Sequence, residues 1–378
     1  MEILNYSAEH EKFRKRIRSF IDKEIIQKAD EWELNRIMPR SAWKRMGDKG
    51  FLCPGISSEY GGKNRDFLYD IIITEELCKA DSICIGLGPS THNSVIIPYI
   101  NTFASEELKK KFLPGCVSGE IITAIAISEP NAGSDVAAIE TTAVNDGDSV
   151  IIDGSKIFIT NGINCDLVLL AARNPAVENP YKALSLYLVE TGTSGFEKGR
   201  KLNKMGMHMQ DTAELFFSKC RIPKNNMVGG EGKGFYMLME KLQQERLIAA
   251  VWAISAAEYI LDKTLSYYRA NKEIQKSQSK LFTIVEMATD VKIGRTFLDK
   301  LIRDHIEGKK IVVEISMSKY WITEMTRRVA NSSLDLFKEN AFLEKCPVVR
   351  YWQDSRGMAI FAGTNEIMKK IIAKELQF

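Results

Sequence analysis

Histidine and closely spaced cysteines are scarce in this sequence, and neither sign of charge predominates. The four histidines lie far apart along the chain, and none of the seven cysteines forms a Cys-x-x-Cys pair. We therefore expect no metal site, no disulfide framework and no histidine-based hydrolysis. Lysine plus arginine (52) nearly balances aspartate plus glutamate (49), so a nucleic-acid partner is not expected either.

Long apolar runs are missing as well. The longest apolar stretches are shorter than a membrane span, and residues 1–13 carry early charges where a signal peptide would be apolar. We therefore expect no membrane span and a cytoplasmic or similar internal location. The 378 residues, 45% of them apolar and 27% charged, predict a folded chain of two or three domains.

Helical periodicity marks both ends of the chain. Near the N-terminus apolar residues recur at helical spacing behind Ser7, a candidate N-cap. Beyond Gly234 the period returns, and 247–261 is apolar almost all round, as in a helix buried among others. The helices predicted in the N-terminal region are 7–30, 39–49, 66–79 and 105–112. Those predicted in the C-terminal region are 247–261, 278–306, 311–338 and 347–375, which together form a four-helix bundle.

Short β-type runs separated by turns fill the middle of the chain, and Asn145-Asp146-Gly147-Asp148 predicts a hairpin. The predicted strands are 121–127, 149–152, 156–160, 167–171, 183–189 and 213–217. The sequence thus predicts an α+β multidomain chain. Its parts are an N-terminal helical domain (1–118), a β domain (119–228) and a C-terminal helical bundle (229–378).

One segment combines a strand end with a glycine turn and short polar side chains: Ala126–Asp135, AISEPNAGSD. Its backbone amides and hydroxyl groups could bind a polar, planar ligand. The simpler interpretation is a capped loop that leaves a strand, and spacing alone favours it.

The wider sequence context supports the binding interpretation. Ala126–Ala138 resembles the signature segment of the acyl-CoA dehydrogenase family, and Lys156–Gly162 resembles its second flavin-contact segment. Further matching segments follow in the family's order: Met205-Gly206, Asp211-Thr212, Gly229–Phe235, Gln244–Leu247 and Phe361–Ile367. The resemblance implies a helical domain, a middle β-barrel and a helical bundle that together hold FAD, usually in dimers or tetramers.

The same resemblance implies roles for individual residues. Ser134 matches a position beside the pantetheine arm of a thioester, and Thr364 and Glu366 match cofactor contacts. The run 229–234 superficially resembles a phosphate loop, but it lacks a βαβ unit and is interpreted as a linker. The residues expected around the isoalloxazine ring are Ile125, Ile127, Ser128, Phe158 and Thr160.

The reaction implied is α,β-dehydrogenation of an acyl thioester: a carboxylate removes the α proton while the β hydrogen leaves as hydride to flavin N5. Much of the family carries this base where the present sequence has Ala362. Long-chain and isovaleryl-type members carry it on an earlier helix, at a glutamate before an arginine, and Glu245-Arg246 matches that place. Arg246 is a candidate substrate contact.

Periodicity supports Glu245 independently. It interrupts a helical stripe that is otherwise apolar, and a buried carboxylate is costly without a purpose. The alternative is an exposed glutamate paired with Lys241, one turn earlier. The stripe consists of Leu238, Leu242, Glu245, Ala249, Trp252 and Ala256.

Two family elements that reach a partner's FAD are altered. Tyr267 and Ala270 replace an arginine and a phenylalanine, and Lys338-Glu339 replaces a Gly-Gly turn. Three alternatives follow. FAD is held more weakly or by other contacts, a second subunit of a hetero-oligomer supplies the missing contacts, or the protein no longer binds flavin.

The leading function is therefore an FAD-dependent dehydrogenase that acts on an acyl group carried by coenzyme A or an acyl carrier protein and passes electrons to an electron-transfer flavoprotein. The alternative is a non-catalytic or partner-dependent subunit of a hetero-oligomer with weakened or absent FAD binding. A monooxygenase on the same fold is disfavoured, because it would not require a base at Glu245.

Overall fold

The computed structural model describes residues 3–343 and 346–378. Helices form the N-terminal part, and several begin at side-chain caps that the sequence makes recognisable. Ser7 accepts a hydrogen bond from the His10 amide, and Asp66 accepts one from the Leu68 amide. The helices are α1 (Ala8–Phe20), α2 (Ala29–Asn35), α3 (Arg40–Asp48), α4 (Phe67–Cys78), α5 (Ile83–Ser90), α6 (Ile97–Phe103) and α7 (Glu106–Ser118).

Two expectations for this part were wrong, and two helices were missed. The helix predicted over 7–30 does not continue unbroken, because its regular turns give way to a π-helical stretch at Ile21–Ile25 and a tight turn at Ile26–Lys28. The helix predicted to end at 112 continues to Ser118 through Pro114. Helices α5 and α6 were not predicted, because every residue of α5 is buried and an all-apolar helix has no amphipathic period.

The middle part is one sheet of eight strands in the order β6-β7-β3-β2-β4-β5-β8, with β1 parallel to β4. The predicted hairpin is confirmed, since Asp146 pairs with Ser149 across the turn. The strands are β1 (Thr123–Ala126), β2 (Thr142–Asp146), β3 (Ser149–Thr160), β4 (Leu167–Arg173), β5 (Leu184–Glu190), β6 (Phe196–Lys201), β7 (Thr212–Pro223) and β8 (Met227–Val228); the small helix α8 (Pro180–Ala183) precedes β5.

The two strands predicted at 149–152 and 156–160 are one strand, β3. Its register against β7 shifts between Ile152 and Gly154. At Gly154 (φ +149°) a Cβ would lie 2.5 Å from the Thr141 side chain, so only glycine fits this irregularity. The irregular centre interrupts the alternation on which the prediction depended.

The C-terminal part is helical, with the long helix α9 at its centre. The helices are α9 (Gly234–Ala270), α10 (Lys272–Gln275), α11 (Gln278–Ile306), α12 (Val312–Phe337), α13 (Pro347–Ser355) and α14 (Asn365–Glu375). The single helix predicted over 347–375 is two helices, because Ala362 (φ +53°) and Gly363 (φ +85°) turn the backbone between them.

Buried ion pairs join the two helical parts. Arg295 on α11 lies 2.7 Å from both Glu75 on α4 and Glu258 on α9, and Arg14 on α1 lies 2.9 Å from Glu75. The N-terminal helices thereby support α9 from one side. Within the described ranges, no helix has the length and apolar character needed to cross a membrane.

Candidate functional site

The signature segment and the second flavin-contact segment lie side by side. The Ile157 amide donates to the Ser128 carbonyl at 2.9 Å, and Lys156 Nζ donates to the Ile127 carbonyl at 2.9 Å and to Glu129 Oε1 at 2.7 Å. Lys156 and Glu129 are both buried. Their ion pair fixes the end of the signature strand to β3.

The two charges of this pair stabilise each other. Burial lowers the pKa of Lys156 to about 8, although Glu129 opposes the shift. Burial acts to raise the pKa of Glu129, but Lys156 and the hydrogen bonds from the protein outweigh it and hold that pKa below its usual range. Each group thus depends on the other to remain charged.

Phe158 presents a large apolar ring to solvent beside this pair. Its side chain is 68% exposed, and its backbone has φ +61°, a strained value for an aromatic residue. Ile125, Ile127, Ser128 and Thr160 are half-buried on the same two segments. An exposed ring held by a strained backbone fits a flat, largely apolar ligand such as the isoalloxazine ring, so these residues fit the implied cofactor.

Ser134 lies in the loop that leaves β1 and is exposed. The next residue, Asp135, caps a short turn by accepting from the Ala137 amide at 3.1 Å. The signature segment thus shows both features weighed in the sequence, a self-capped loop and hydroxyl groups accessible to a ligand.

Glu245 lies on the buried face of α9 and is only 8% exposed. Tyr99 on α6 donates its hydroxyl to Glu245 Oε1 at 2.5 Å, whereas Lys241 pairs with Glu240 at 3.4 Å. Burial raises the pKa of Glu245 to about 7, against the lowering effects of Tyr99 and Arg246. A carboxylate in this state exchanges a proton near neutral pH.

Arg246 supplies a positive charge next to this base. Its side chain is buried, and its Nε–H has no hydrogen-bond partner among the described residues. A Cβ on Gly363 would lie 3.8 Å from that nitrogen, so the guanidinium faces the turn between α13 and α14. Burial lowers the pKa of Arg246, and the opposing effect of the Glu245 charge offsets only part of that shift. An unpaired buried donor is available to a polar atom of a ligand.

The turn between α13 and α14 is held from beneath by Lys319, a fully buried residue of α12. Lys319 Nζ donates to the Gly363 carbonyl at 2.6 Å and to Asn365 Oδ1 at 3.1 Å. Thr364 caps α14 by accepting from the Ile367 amide at 3.2 Å, and Glu366 is exposed. Burial, followed by the Arg246 charge, lowers the pKa of Lys319 to about 7.

Helix α5 connects the strand segments to α9. Asn161, which follows β3, donates to the Gly88 carbonyl at 3.3 Å, and Trp252 Nε1 donates to Ser90 Oγ at 2.6 Å. The structure therefore places the sequence-derived residues in two groups on either side of α5. One group is carried by β1 and β3, the other by α9 and the turn at 361–364.

Tyr99 and Lys319 were missed in the sequence. Tyr99 lies in an apolar segment and Lys319 in an amphipathic helix, and neither is part of a recognisable motif. Their relevance depends on contacts across 146 and 44 residues of sequence, to Glu245 and Gly363 respectively.

The two altered family elements lie together. The rings of Tyr267 and Phe337 stack with their centroids 4.1 Å apart, and Asn340 Nδ2 donates to the Tyr267 hydroxyl at 3.0 Å. Lys338 (φ +52°) and Glu339 are exposed at the end of α12, and Ala270 ends α9. Tyr267 thus connects the end of α9 with the end of α12, next to the altered turn.

Comparison with known proteins assigns all three parts of the chain. Residues 7–120, 124–220 and 232–377 match the N-terminal, middle and C-terminal domains of acyl-CoA dehydrogenases. The mitochondrial long-chain specific acyl-CoA dehydrogenase of Sus scrofa is 39% identical over 376 residues, which cover 98% of this chain and 87% of that protein.

Solved structures agree over the full length. The acyl-CoA dehydrogenase from Geobacillus kaustophilus has a TM-score of 0.97 and 47% identity, with 99% of each chain covered. The FAD complex of PigA has a TM-score of 0.93 and 27% identity, with 100% of this chain and 99% of that chain covered. The family resemblance and the three-domain fold are thereby confirmed, and the chain belongs to the acyl-CoA dehydrogenase family.

Proposed function

We propose that this protein catalyses the α,β-dehydrogenation of an acyl thioester and that Glu245 is the base that removes the α proton. The observation that carries this proposal is the buried Glu245 carboxylate, with a pKa of about 7, beside an unpaired buried guanidinium N–H of Arg246. In a family of oxidoreductases that act on the CH–CH group of acyl-CoA, a base of this kind completes the chemistry.

The surroundings of Glu245 suit proton removal. Exclusion of water makes the carboxylate a stronger base than it would be in solution, because its charged form is poorly solvated. The Tyr99 hydroxyl orients Oε1 and offsets part of that cost. Arg246 favours the ionised form and offers its Nε–H to a polar atom of the thioester, where donors stabilise charge that develops during proton loss.

FAD is the cofactor of the family, and when bound it supplies the acceptor for the β hydrogen as a hydride. Seven residues would hold it: Ile125, Ile127, Ser128, Phe158 and Thr160 against the ring, with Thr364 and Glu366 near the C-terminal turn. Ser134 would lie beside the carrier arm of the thioester. The chain's own task is to align and desolvate the substrate.

The remaining parts of the proposal concern organisation. We propose coenzyme A or an acyl carrier protein as the carrier of the acyl group and an electron-transfer flavoprotein as the electron acceptor, in a cytoplasmic dimer or tetramer. The domains would divide at 1–118, 119–228 and 229–378. Incubation with an acyl-CoA and an artificial electron acceptor should yield the 2-enoyl thioester, detected by mass spectrometry. Unchanged thioester together with an acceptor that stays oxidised would contradict the proposal.

The pH dependence of catalysis should follow Glu245. Only the ionised carboxylate accepts a proton, so kcat/KM should rise with pH through about 7 and level off above that value. The contribution to stability has the opposite sign: the folded-state pKa is raised from 4.5, so the free energy of unfolding should fall as pH increases from about 4.5 to about 7. Steady-state rates and urea unfolding over this range measure both.

Removal of the Tyr99 hydroxyl should shift this profile. In Tyr99→Phe the carboxylate loses a hydrogen bond that lowers its pKa, and the rising limb of kcat/KM should move upward by about one pH unit. Tyr351→Phe is the matched control, because Tyr351 is also buried and donates one hydrogen bond, to the Cys78 carbonyl at 2.7 Å. Equal profiles for both variants would remove Tyr99 from the account.

A further inference from the structure

The catalytic face of α9 carries a tryptophan deeper in the protein than Glu245. Trp252 follows Glu245 by seven residues, which places it about 10.5 Å further along the helix and within about 20° of the same direction. Ile248 and Ala249 lie between them, and all of these residues are buried. Trp252 is therefore the first aromatic side chain along this face beyond Glu245.

The indole is held on two sides. Trp252 is 4% exposed and its Nε1–H donates to Ser90 Oγ at 2.6 Å, while that hydroxyl donates to the Gly86 carbonyl at 2.6 Å. On the other side, the ring meets Phe361 edge-on with centroids 5.7 Å apart and an interplanar angle of 69°. The indole therefore spans the space between α5 and the turn before α14.

The burial pattern of α9 gives the direction of a bound acyl chain. Residues 241–244 are half-buried, whereas every residue from Glu245 to Ala257 is buried. A thioester must leave its large polar carrier towards solvent, because burial of charged groups is costly. The acyl tail then extends inward from Glu245, in the direction of Trp252.

We propose that Trp252 closes the inner end of the acyl site and restricts this protein to short acyl thioesters, a specificity that rests on the proposed role of Glu245. A longer chain would have to displace the indole and leave its buried N–H without an acceptor. Such a restriction would separate this protein in substrate length from the long-chain relatives that it resembles.

The test compares acyl-CoA substrates of different length. Wild-type protein with FAD and an artificial acceptor should show kcat/KM at least about ten-fold higher for butyryl-CoA than for palmitoyl-CoA, since unfavourable contacts of one or two methylene groups suffice for that ratio. In Trp252→Ala and the less disruptive Trp252→Leu, the ratio should fall at least about ten-fold, because each methylene that gains apolar space strengthens binding about four-fold.

Two controls separate size from other effects. Ser90→Ala removes the hydrogen bond but keeps the indole, so the preference for short chains should weaken but persist, because the ring still fills the space while its displacement no longer breaks that bond. Trp352→Ala removes a tryptophan elsewhere, whose Nε1 donates to Asn331 Oδ1 at 2.6 Å, and should leave the ratio unchanged. Thermal melts identify any variant that fails to fold. Two Trp252 variants are made so that the test still stands if Trp252→Ala does not fold.

Calorimetric binding of the two thioesters to Glu245→Gln and to Glu245→Gln/Trp252→Leu distinguishes this inference from the proposed function. Equal wild-type rates for the two substrates, or a length ratio that survives both Trp252 substitutions, would overturn the role of Trp252 and leave Glu245 standing. If neither thioester binds or reacts, both proposals are wrong. If the thioesters bind to wild type without turnover, the role of Glu245 is wrong, and the affinity for butyryl-CoA relative to palmitoyl-CoA then tests Trp252 alone. Tighter binding of butyryl-CoA that is lost on substitution of Trp252 supports its role, and equal affinities overturn it.

Discussion

Glu245→Gln should lower kcat by about three orders of magnitude, the middle of the range for loss of a general base. The amide has the same shape and its oxygen still accepts from Tyr99, so packing is retained while proton removal is lost. The affinity for butyryl-CoA should change by less than about ten-fold, because the substituted group acts in the reaction rather than in binding. Stopped-flow turnover together with calorimetric binding measures the two effects.

The matched control is Glu240→Gln, an exposed carboxylate of the same helix that pairs with Lys241. It should leave kcat within about two-fold, as expected for an exposed ion pair of small energetic weight. Adding Ala362→Glu to Glu245→Gln, which puts a carboxylate where much of the family carries its base, should recover part of the activity. A Glu245→Gln variant that retains half of the wild-type kcat would exclude the residue from the mechanism.

Lys156→Met should have the largest effect on stability. It leaves the Glu129 carboxylate buried without its partner, and breaking a buried ion pair on one side costs about 3–5 kcal/mol of unfolding free energy. The Ile127 carbonyl also loses its donor, so the signature segment should bind flavin more weakly. Urea unfolding at pH 7 and fluorescence titration with FAD measure the two losses.

Lys111→Met is the comparison for this variant, because Lys111 and Glu190 form an exposed pair with side chains 49% and 45% exposed. Its loss should cost at most about 1 kcal/mol. Lys156→Met/Glu129→Gln should regain part of the lost stability, since the unpaired charge is removed while the side-chain oxygen still accepts from the protein backbone. If Lys156→Met costs less than about 1 kcal/mol, the pair does not hold the signature segment in place.

Much of the helical fold could be predicted because the relevant signals are local. Helix α4 was predicted to within a residue at each end, since Asp66 caps it, and α11 and α12 show clear helical periods. Helix α5 could not be predicted in the same way. It is apolar on all sides and contains Pro89, so neither periodicity nor composition distinguishes it from a buried loop or strand.

The candidate site shows the same division between local and non-local signals. Glu245 could be found because the family resemblance implies a base at a glutamate before an arginine on this helix, and the interrupted apolar stripe supports that position. The Tyr99 contact and the elevated pKa depend on packing between α6 and α9 and leave no local trace in the sequence. Trp252 belongs to the same stripe and has the sequence context of an ordinary core residue, because its contacts with Ser90 and Phe361 join distant parts of the chain.

The altered cofactor contacts bear on oligomer composition. The stacked Tyr267 and Phe337 make one compact connection between α9 and α12 where the family resemblance implies contacts to a partner's FAD. If these contacts come from a second kind of subunit, the purified chain should bind FAD only weakly by itself. Saturation of a homo-oligomer with FAD would exclude that alternative.

Anaerobic titration of the purified chain, reconstituted with FAD, with butyryl-CoA tests the central claim most directly. The account predicts a stoichiometric flavin spectrum whose visible absorbance bleaches on addition of the thioester. The Glu245→Gln protein should bind FAD and butyryl-CoA yet remain yellow. A wild-type protein that binds FAD and thioester without bleaching, or a Glu245→Gln protein that bleaches at the wild-type rate, would contradict it.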